Sequence, residues 1–250
     1  MLQLKNVSVT FNAGTQLEKK ALQDLSVTVN KGDFVTILGS NGAGKSTLFN
    51  VIGGKIPVSQ GSVFLAGEDV THQKEHVRAR NIGRLFQDPS MGTASQLSVE
   101  ENLALAYSRS QRGVFAKAVT KKDRELFADK LKALQMGLED RMKTPIGLLS
   151  GGQRQAVALM MAVLNPPKVL LLDEHTAALD PNSAKKILQI TNDLIAKQNI
   201  TALMITHNMK DALENGNRLF IMNDGRITQD FSSEEKKALR AADLLEYYEV

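Results

Sequence analysis

The sequence predicts an α/β fold: a mixed sheet flanked by helices, with an N-terminal antiparallel β-subdomain and an inserted α-helical subdomain. Two apolar runs, 34–38 and 169–172, predict strands, and the second, which is continuous, is typical of a strand that is covered on both faces. Each run is followed by a turn and a helical pattern, as expected where helices flank a sheet. Residues 98–164 instead show the periodicity of consecutive helices, which interrupts the alternation of strands and helices.

Both ends of the sequence favour antiparallel strand pairs. Apolar residues alternate over 2–11 and 22–29, which predicts an N-terminal hairpin, and Asn223-Asp224-Gly225 marks the turn of a final hairpin. We therefore predict a single domain over 1–250. Its predicted parts are a RecA-like core with the β-subdomain at 1–87 and 165–230, a helical subdomain at 88–164, and a C-terminal helical tail at 231–250.

Composition limits the possible functions. The 250-residue chain has a formal net charge of +4, from 31 Lys and Arg against 27 Asp and Glu, and this small excess is spread along the sequence. It forms no basic patch, so we expect no nucleic-acid partner. The absence of cysteine excludes disulfides and thiolate metal sites. The longest nearly continuous apolar run, 156–164, is too short to span a bilayer, so any membrane role is expected to depend on a partner.

A glycine-rich segment follows the first apolar run and fits the phosphate-binding motif G-x-x-x-x-G-K-[ST]. Glycines let the loop wrap closely around a phosphate chain, so that backbone N–H groups and a helix N-terminus point at it. Lys45 is placed to reach the β- and γ-phosphates, and the Ser46 hydroxyl to ligate Mg²⁺. We therefore predict a nucleoside-triphosphate site in a P-loop NTPase core. Its residues are Gly39, Ser40, Asn41, Gly42, Ala43, Gly44, Lys45, Ser46 and Thr47.

A second possible anion-binding turn is Ser150-Gly151-Gly152-Gln153, directly before an apolar helix. Its N–H groups lie at the positive end of that helix, and the glycines carry no side chains that would obstruct them. Alternatively, Ser150 is only an N-cap and the glycines form only a tight turn. The segment alone leaves both interpretations open.

Polar side chains follow three of the predicted strands. Asp173 and Glu174 come after 169–172, where one carboxylate can hold Mg²⁺ and the other can polarise an attacking water. His207 ends another strand and can hydrogen-bond a γ-phosphate, since ligands bind at the carboxyl ends of strands in such sheets. The amide oxygen of Gln87, also at a strand end, can meet Mg²⁺ or the attacking water.

Other candidate side chains are ambiguous. Phe11 ends the first strand, where an exposed ring could stack on an adenine, but it could equally be a core residue of an edge strand. His72 and His76 lack a comparable placement and are interpreted as solvated surface residues.

These motifs resemble the ATP-binding-cassette family, in the same order and at similar spacing over essentially the whole chain. The most specific element is Leu-Ser-Gly-Gly-Gln at 149–153, which occurs together with the phosphate loop and with Ala-Ala-Leu-Asp at 177–180. The resemblance implies that two copies of the chain dimerise head to tail. Each ATP would then lie between the phosphate loop of one copy and the Ser-Gly-Gly turn of the other.

The resemblance also implies a role for each matching residue. Within one chain, it assigns adenine stacking to Phe11, phosphate binding to Lys45, the general base to Glu174 and the switch to His207. The Mg²⁺ ligands it implies are Ser46, Gln87 and Asp173. It assigns coupling of the two sites to Asp180, and contacts in trans to Ser150, Gly151, Gly152 and Gln153. Lys45 and Gln87 join Glu174 and His207 as the predicted catalytic residues. The sequence departs from the family at His175, where many members have proline, and at Phe11, where tyrosine is more common.

Longer stretches, among them FVTILGSNGAGKST and LLLDEHTAALDP, resemble a bacterial subgroup of importer ATPases. Members of this subgroup are paired with a substrate-binding lipoprotein and with a permease similar to those of branched-chain amino-acid importers. The resemblance implies ATP and Mg²⁺ as cofactors, a homodimer, and an integral membrane permease that holds it at the cytoplasmic face of the membrane. An extracytoplasmic substrate-binding protein would be an indirect partner. Some such systems are associated with tryptophan or related aromatic amino acids, which makes an aromatic amino acid the hypothetical cargo.

Several alternatives share the phosphate loop. An exporter subunit has the same core motifs, which do not separate import from export. A chromosome-maintenance ATPase that acts on nucleic acid would need a long coiled coil between 45 and 149, where no sustained heptads occur. A ribosome-associated cassette protein would carry two cassettes, and a small-molecule kinase would leave the Ser-Gly-Gly turn and His207 without a role.

Overall fold

The computed structural model describes residues 1–111 and 119–247, whose strands form a four-stranded and a six-stranded sheet. The strands are β1 (Leu2–Phe11), β2 (Lys19–Val29), β3 (Phe34–Leu38), β4 (Gln60–Leu65), β5 (Glu68–Asp69), β6 (Ile82–Leu85), β7 (Val169–Asp173), β8 (Thr201–Ile205), β9 (Arg218–Asn223) and β10 (Arg226–Phe231). The α-helices are α1 (Lys45–Gly53), α2 (Glu75–Arg78), α3 (Val99–Gln111), α4 (Lys121–Lys132), α5 (Gly151–Val163), α6 (Pro181–Gln198), α7 (Met209–Glu214), α8 (Ser233–Ala238) and α9 (Ala241–Leu245).

The six-stranded sheet is mixed and has the strand order β10-β9-β3-β8-β7-β6. Strands β3 and β6–β9 are parallel, whereas β10 pairs antiparallel with β9 at one edge. The four-stranded sheet has the order β2-β1-β4-β5 and is antiparallel throughout. The predicted fold class and both predicted hairpins are therefore confirmed.

Strand β7 lies between two apolar clusters of the core and contributes side chains to both. Val169 and Leu171 belong to a cluster between the two sheets that also includes α1. Leu170 and Leu172 point to the opposite face, into a cluster that contains residues of α3–α6. Because successive side chains of a strand alternate between its faces, a strand covered on both sides must be apolar throughout. The run thereby places Asp173 and Glu174 at the carboxyl edge of a rigid sheet.

The helical part of the chain packs on the same core. Helix α3 begins with the capping box of Ser98 and Glu101, in which each backbone N–H donates to the other side chain, over 2.8 and 3.3 Å. Helix α5 contacts α3 and α4 on one side and β6 and α6 on the other. One apolar cluster thus joins the helices to the sheet, and a subdomain limit at residue 164 stays a prediction. Residues 112–118 of the predicted helical subdomain lie outside the described residues.

The C-terminal tail consists of two short helices, α8 and α9, instead of the single docking helix that its composition suggests. The chain is extended at Leu239, between the two helices, which lets Leu244 of α9 become fully buried against residues of β3, β9 and α7. Residues 248–250 of the predicted tail lie outside the described residues. Over 1–111 and 119–247, none of the helices combines the length and the apolar character that a bilayer span requires.

Candidate functional site

The phosphate loop runs from the end of β3 to the start of α1 and is enclosed by other backbone segments. A Cβ added at Gly39 would lie 2.3 Å from the carbonyl oxygen of Met222, and one at Gly44 would lie 2.6 Å from that of Ala21. Gly44 also has a φ of 99°, which L-residues rarely adopt. Only glycine fits these two positions, so the close packing fixes the loop that presents the N-terminus of α1.

Lys45 is the first residue of α1, and its side chain folds back over the loop. Its ammonium group donates hydrogen bonds to the carbonyl oxygens of Gly39 and Ser40, over 2.7 and 2.9 Å. Burial lowers the pKa of Lys45 from its usual value of 10.5, while the nearby carboxylates of Glu174 and Asp173 oppose that shift. An ammonium group has three donors, so Lys45 can offer the third to a phosphate oxygen.

A cavity of about 320 Å³ lies between the phosphate loop and the β1–β2 hairpin. Phe11 is exposed and lines this cavity, which rules out the interpretation of Phe11 as a core residue. The cavity thus places an aromatic ring and a phosphate loop side by side, as a nucleotide requires. Its lining residues are Phe11, Lys19, Ala21, Asn41, Gly42, Gly44, Lys45, Ser46, Thr47 and Glu174.

Glu174 and His207 lie at the ends of neighbouring parallel strands, because Asp173 of β7 is in register with Ile205 of β8. Oε1 of Glu174 is 2.9 Å from Nδ1 of His207. The backbone of Glu174 has a φ of 46°, an uncommon conformation for a residue with a Cβ, and its N–H donates to the carbonyl oxygen of Ile205. The contact directs the Glu174 carboxylate toward His207 at the edge of the cavity.

The oxygen donors near the cavity fit Mg²⁺. Ser46 lines the cavity, and Asp173 adjoins Glu174 and lies close enough to act on the charge of Lys45. Mg²⁺ is commonly held by one or two protein oxygens together with phosphates and waters, so this sparse set is sufficient. Among the described residues, no group of three or more His, Cys, Asp or Glu side chains could hold a metal ion. Gln87 follows β6 and is exposed, and it is not among the residues that line the cavity.

The Ser-Gly-Gly turn lies outside this cavity. Ser150 is the N-cap of α5 and forms a capping box with Gln153, so the serine caps the helix as one of the two interpretations states. Gly151 lies next to Leu179, since an added Cβ would be 3.4 Å from its side chain. Asp180 caps α6 by accepting a hydrogen bond from the Ser183 N–H over 3.1 Å. The structure therefore brings the turn together with the 177–180 segment but not with the phosphate loop of the same chain.

Sequence reasoning missed three contacts around the site. Lys19 lines the cavity because it is paired with Phe11 across the β1–β2 hairpin, whereas the predicted second strand, 22–29, begins too late to include it. Arg84, on β6, has a guanidinium nitrogen 3.4 Å from the Asp173 carboxylate. His175 is buried, and its Nε2 is 3.2 Å from the Thr191 hydroxyl of α6. Burial lowers the pKa of His175 to about 4, so the ring is neutral at neutral pH. No local sequence signal indicates either of the last two contacts.

Several known proteins are similar to this chain in sequence. A model of the ABC transporter family matches residues 22–177. The tyrosine transport ATP-binding protein of Clostridioides difficile (strain R20291) is 40% identical over 249 residues, which are 100% of this chain and 99% of that protein. The methionine import ATP-binding protein MetN of Streptococcus agalactiae is 35% identical over 93% of this chain and 64% of its own length.

Solved structures of cassettes have the same fold. The dimeric, post-hydrolysis ATP-binding cassette MJ0796, bound to ADP and Pi, has a TM-score of 0.79 and 29% identity, over 93% of this chain and 99% of that one. The ADP conformation of MJ1267, an ATP-binding cassette of an ABC transporter, has a TM-score of 0.81 and 29% identity, over 99% and 97% of the two chains. With the nucleotide cavity, these similarities show that the chain belongs to the ABC transporter family, as a cassette that binds and hydrolyses ATP.

Proposed function

We propose that this chain is the ATPase subunit of a bacterial importer, and that two copies bind ATP between them in a head-to-tail homodimer. The observation that carries the proposal is the separation of the two anion-binding turns. The Ser-Gly-Gly turn begins a helix outside the cavity that contains the phosphate loop, so a second copy is needed to bring such a turn to the nucleotide. The dimeric cassette structure with 29% identity to this chain, which is bound to ADP and Pi, supports a dimer.

In the proposed reaction, a water attacks the γ-phosphorus while Glu174 accepts a proton from it, and the bond between the γ-phosphorus and the bridging oxygen breaks, so that ADP leaves with the electron pair. His207 holds the carboxylate of Glu174 through Nδ1, 2.9 Å away, and leaves Nε2 for the γ-phosphate. Lys45 contributes positive charge to the phosphates, and Phe11 supports the adenine. Ser46 and Asp173 would hold Mg²⁺, with Gln87 as a further proposed ligand, and the ion would neutralise charge that develops on the phosphates. Positioning and charge neutralisation thus supply most of the rate enhancement.

We propose that the partner is a permease and that it docks into a groove between the sheet and the helices. This groove is a cavity of about 340 Å³ beside β6. Apolar side chains such as Phe86, Pro89, Leu105 and Met161 line it. Leu105 is exposed although it is apolar, as expected of a contact surface. Gln87 directly follows Phe86, so movement of an element in the groove would act on the strand end beside Asp173. Through this permease the dimer would lie at the cytoplasmic face of the membrane.

The proposed cargo is an aromatic amino acid, delivered to the permease by an extracytoplasmic substrate-binding protein. The similarity to a tyrosine transport ATP-binding protein along the full length of both chains supports this class over methionine or polyamines. The relative's name points to tyrosine within that class, whereas tryptophan has no comparable support.

Reconstitution tests this proposal. The chain would be purified with its permease in proteoliposomes, and ATPase activity and uptake would be measured with the substrate-binding protein loaded with tyrosine, tryptophan, phenylalanine or methionine. We expect a loaded aromatic amino acid to stimulate ATP hydrolysis and to accumulate on the side of the membrane where ATP is hydrolysed. Uptake toward the nucleotide side supports an importer. Movement in the opposite direction, or stimulation by nucleic acid without a permease, would contradict it.

A further inference from the structure

Arg84 connects three functional parts of the molecule. It lies on β6, two residues before Phe86 and three before Gln87, and only 14% of its side chain is exposed. One guanidinium nitrogen, Nη1, donates to the side-chain oxygen of Asn50 on α1 over 2.8 Å. The other, Nη2, is 3.4 Å from the carboxylate of Asp173 on β7. Arg84 therefore links the helix that begins at the phosphate loop to the carboxylate proposed to hold Mg²⁺.

Arg84 also belongs to the groove in which we propose that the permease docks. Its guanidinium carbon lies over the Phe86 ring, 4.8 Å from the ring centroid, within the distance of a cation–π interaction. Arg84 and Phe86 both line the groove. If the Phe86 ring moved, it would displace the guanidinium that it contacts. Because the guanidinium also contacts Asp173, the movement would change the position of that carboxylate.

These contacts require the shape of an arginine. The planar guanidinium offers donors in fixed directions, so one side chain can hold Asn50 and Asp173 simultaneously while its central carbon lies over the Phe86 ring. A lysine provides one charged atom and cannot make all three contacts. Within the described residues, the buried Nε of Arg84 has no hydrogen-bond partner. Because an unsatisfied buried donor destabilises a fold, the position is better explained by placement of the terminal nitrogens than by stability alone.

We propose that Arg84 is a positioning residue that holds the Asp173 carboxylate in place for Mg²⁺ and transmits the state of the groove to that carboxylate. The first part concerns the isolated chain. The second part rests on the proposed function, because it needs a permease in the groove. The two parts are therefore tested separately.

The first test measures nucleotide binding without hydrolysis. The dissociation constant of a fluorescent non-hydrolysable ATP analogue is compared in Mg²⁺ and in EDTA, for the isolated wild-type chain and its variants. We expect Arg84→Met to weaken binding about tenfold in Mg²⁺, as found when residues that orient metal ligands are changed, and to leave binding in EDTA unchanged. Arg84→Lys should fall between Met and the wild type. Arg80→Met is the matched control, since Arg80 is exposed on the preceding segment.

Two other outcomes would overturn the proposal. An equal loss in Mg²⁺ and in EDTA would mean that Arg84 only attracts phosphates by its charge. Tighter binding in Mg²⁺ would mean that Arg84 mainly repels the metal ion. If Arg84→Met fails to fold, Asn50→Ala provides the same test, because it removes the second anchor of the guanidinium and leaves Arg84 in place. In that variant we expect a weaker loss, again only in Mg²⁺.

The second test uses the assembled complex with the permease. Complexes of Arg84→Lys that contain the same amount of permease as the wild type, assayed at saturating ATP, should lose most of the stimulation of ATPase activity by the loaded substrate-binding protein. Full stimulation in that variant would overturn transmission through Arg84. If no permease binds the wild-type chain, the proposed function fails, whereas the binding ratio in Mg²⁺ and EDTA still decides whether Arg84 positions Asp173.

Discussion

Oε1 of Glu174 lies 2.9 Å from Nδ1 of His207, and this contact joins the ends of two neighbouring parallel strands at the nucleotide cavity. The carboxylate is mostly buried, whereas half of the histidine side chain is exposed. His207 can therefore hold the general base with one nitrogen and present the other to a γ-phosphate. The predicted general base and the predicted switch residue are therefore in direct contact.

Replacing Glu174 with glutamine should abolish hydrolysis but not ATP binding. The amide keeps the shape and a hydrogen-bonding contact with His207, but it cannot accept the proton of the attacking water. We expect kcat to fall by about 10²-fold or more, the usual contribution of a general base, with a nucleotide dissociation constant close to that of the wild type. Steady-state ATPase assays and equilibrium binding measure the two quantities. Glu214→Gln, at an exposed residue of α7, is the control, and unchanged hydrolysis in Glu174→Gln would remove Glu174 from its role.

Replacing Lys45 with alanine should remove tight nucleotide binding. The variant loses the positive charge at the phosphates and also the two hydrogen bonds that hold the loop carbonyls of Gly39 and Ser40. We expect the dissociation constant for ATP to rise at least about tenfold, since charged hydrogen bonds contribute about 1.5–3 kcal/mol. Calorimetric titration would measure it. Lys20→Ala is a suitable control because Lys20 is exposed and does not line the cavity, and retained ATP affinity in Lys45→Ala would contradict the assignment.

Two inactive variants should partly restore each other if the nucleotide sites are composite. Gly151→Asp places a carboxylate at the second anion-binding turn, while its Cβ has room 3.4 Å from Leu179. A heterodimer of Lys45→Ala and Gly151→Asp chains contains one intact site and one site with both defects. For independent sites, random mixing gives at most about a quarter of wild-type activity, since half of the dimers are heterodimers.

The ATPase rate of that mixture is compared with the rate of each variant alone. Gly151→Ala, which adds no charge, is the control for Gly151→Asp and should retain most of its activity. Wild-type activity in the mixture, or in Gly151→Asp alone, would argue against a shared site.

Because Lys236 is buried, the free energy of unfolding should rise as the pH increases from neutral to alkaline values. This residue of α8 donates hydrogen bonds to the Thr36 hydroxyl of β3 and to the carbonyl oxygen of Asn215, and burial lowers its pKa to about 8. The unfolded chain keeps a lysine pKa near 10.5, so it binds more protons than the folded chain between pH 8 and 10.5. The free energy of unfolding therefore gains from this group as the pH rises through 8.

Chemical denaturation at pH 7.5 and 9.5 would detect this contribution. From the two pKa values, Lys236 should add about 2 kcal/mol to the stability of the wild type over that interval. The difference between wild type and Lys236→Met isolates it from other titrating groups. Lys237→Met is the matched control, because Lys237 is exposed and should follow the wild type. If Lys236→Met has the same pH dependence as the wild type, folding does not lower the pKa of Lys236, and the prediction is wrong.

The sequence predicted the elements that depend on neighbouring residues. The phosphate loop, the strand that delivers Asp173 and Glu174, and the final hairpin around Asp224 follow from local patterns, and each is found in the structure. The contacts that were missed join distant parts of the chain. Arg84 meets Asp173 across 89 positions and Lys236 meets Thr36 across 200, so no window of sequence contains both partners.

Two ambiguous residues show the same limit. Whether Phe11 is buried depends on what covers the end of β1, and the structure leaves its ring at the cavity. Ser150 is an N-cap, as one interpretation held, but capping does not exclude a role of the adjacent N–H groups in binding a phosphate from another chain. A residue pattern in one chain cannot specify which copy provides the turn that contacts a given nucleotide.

The most direct test is the mass of the Glu174→Gln variant in solution. With ATP and Mg²⁺, light scattering should give about twice the monomer mass, and a cysteine pair placed at the phosphate loop of one copy and the Ser-Gly-Gly turn of another should form a crosslink. Without nucleotide, the variant should be monomeric. A monomer that has demonstrably bound ATP, both alone and in the presence of the permease, would contradict the shared nucleotide site.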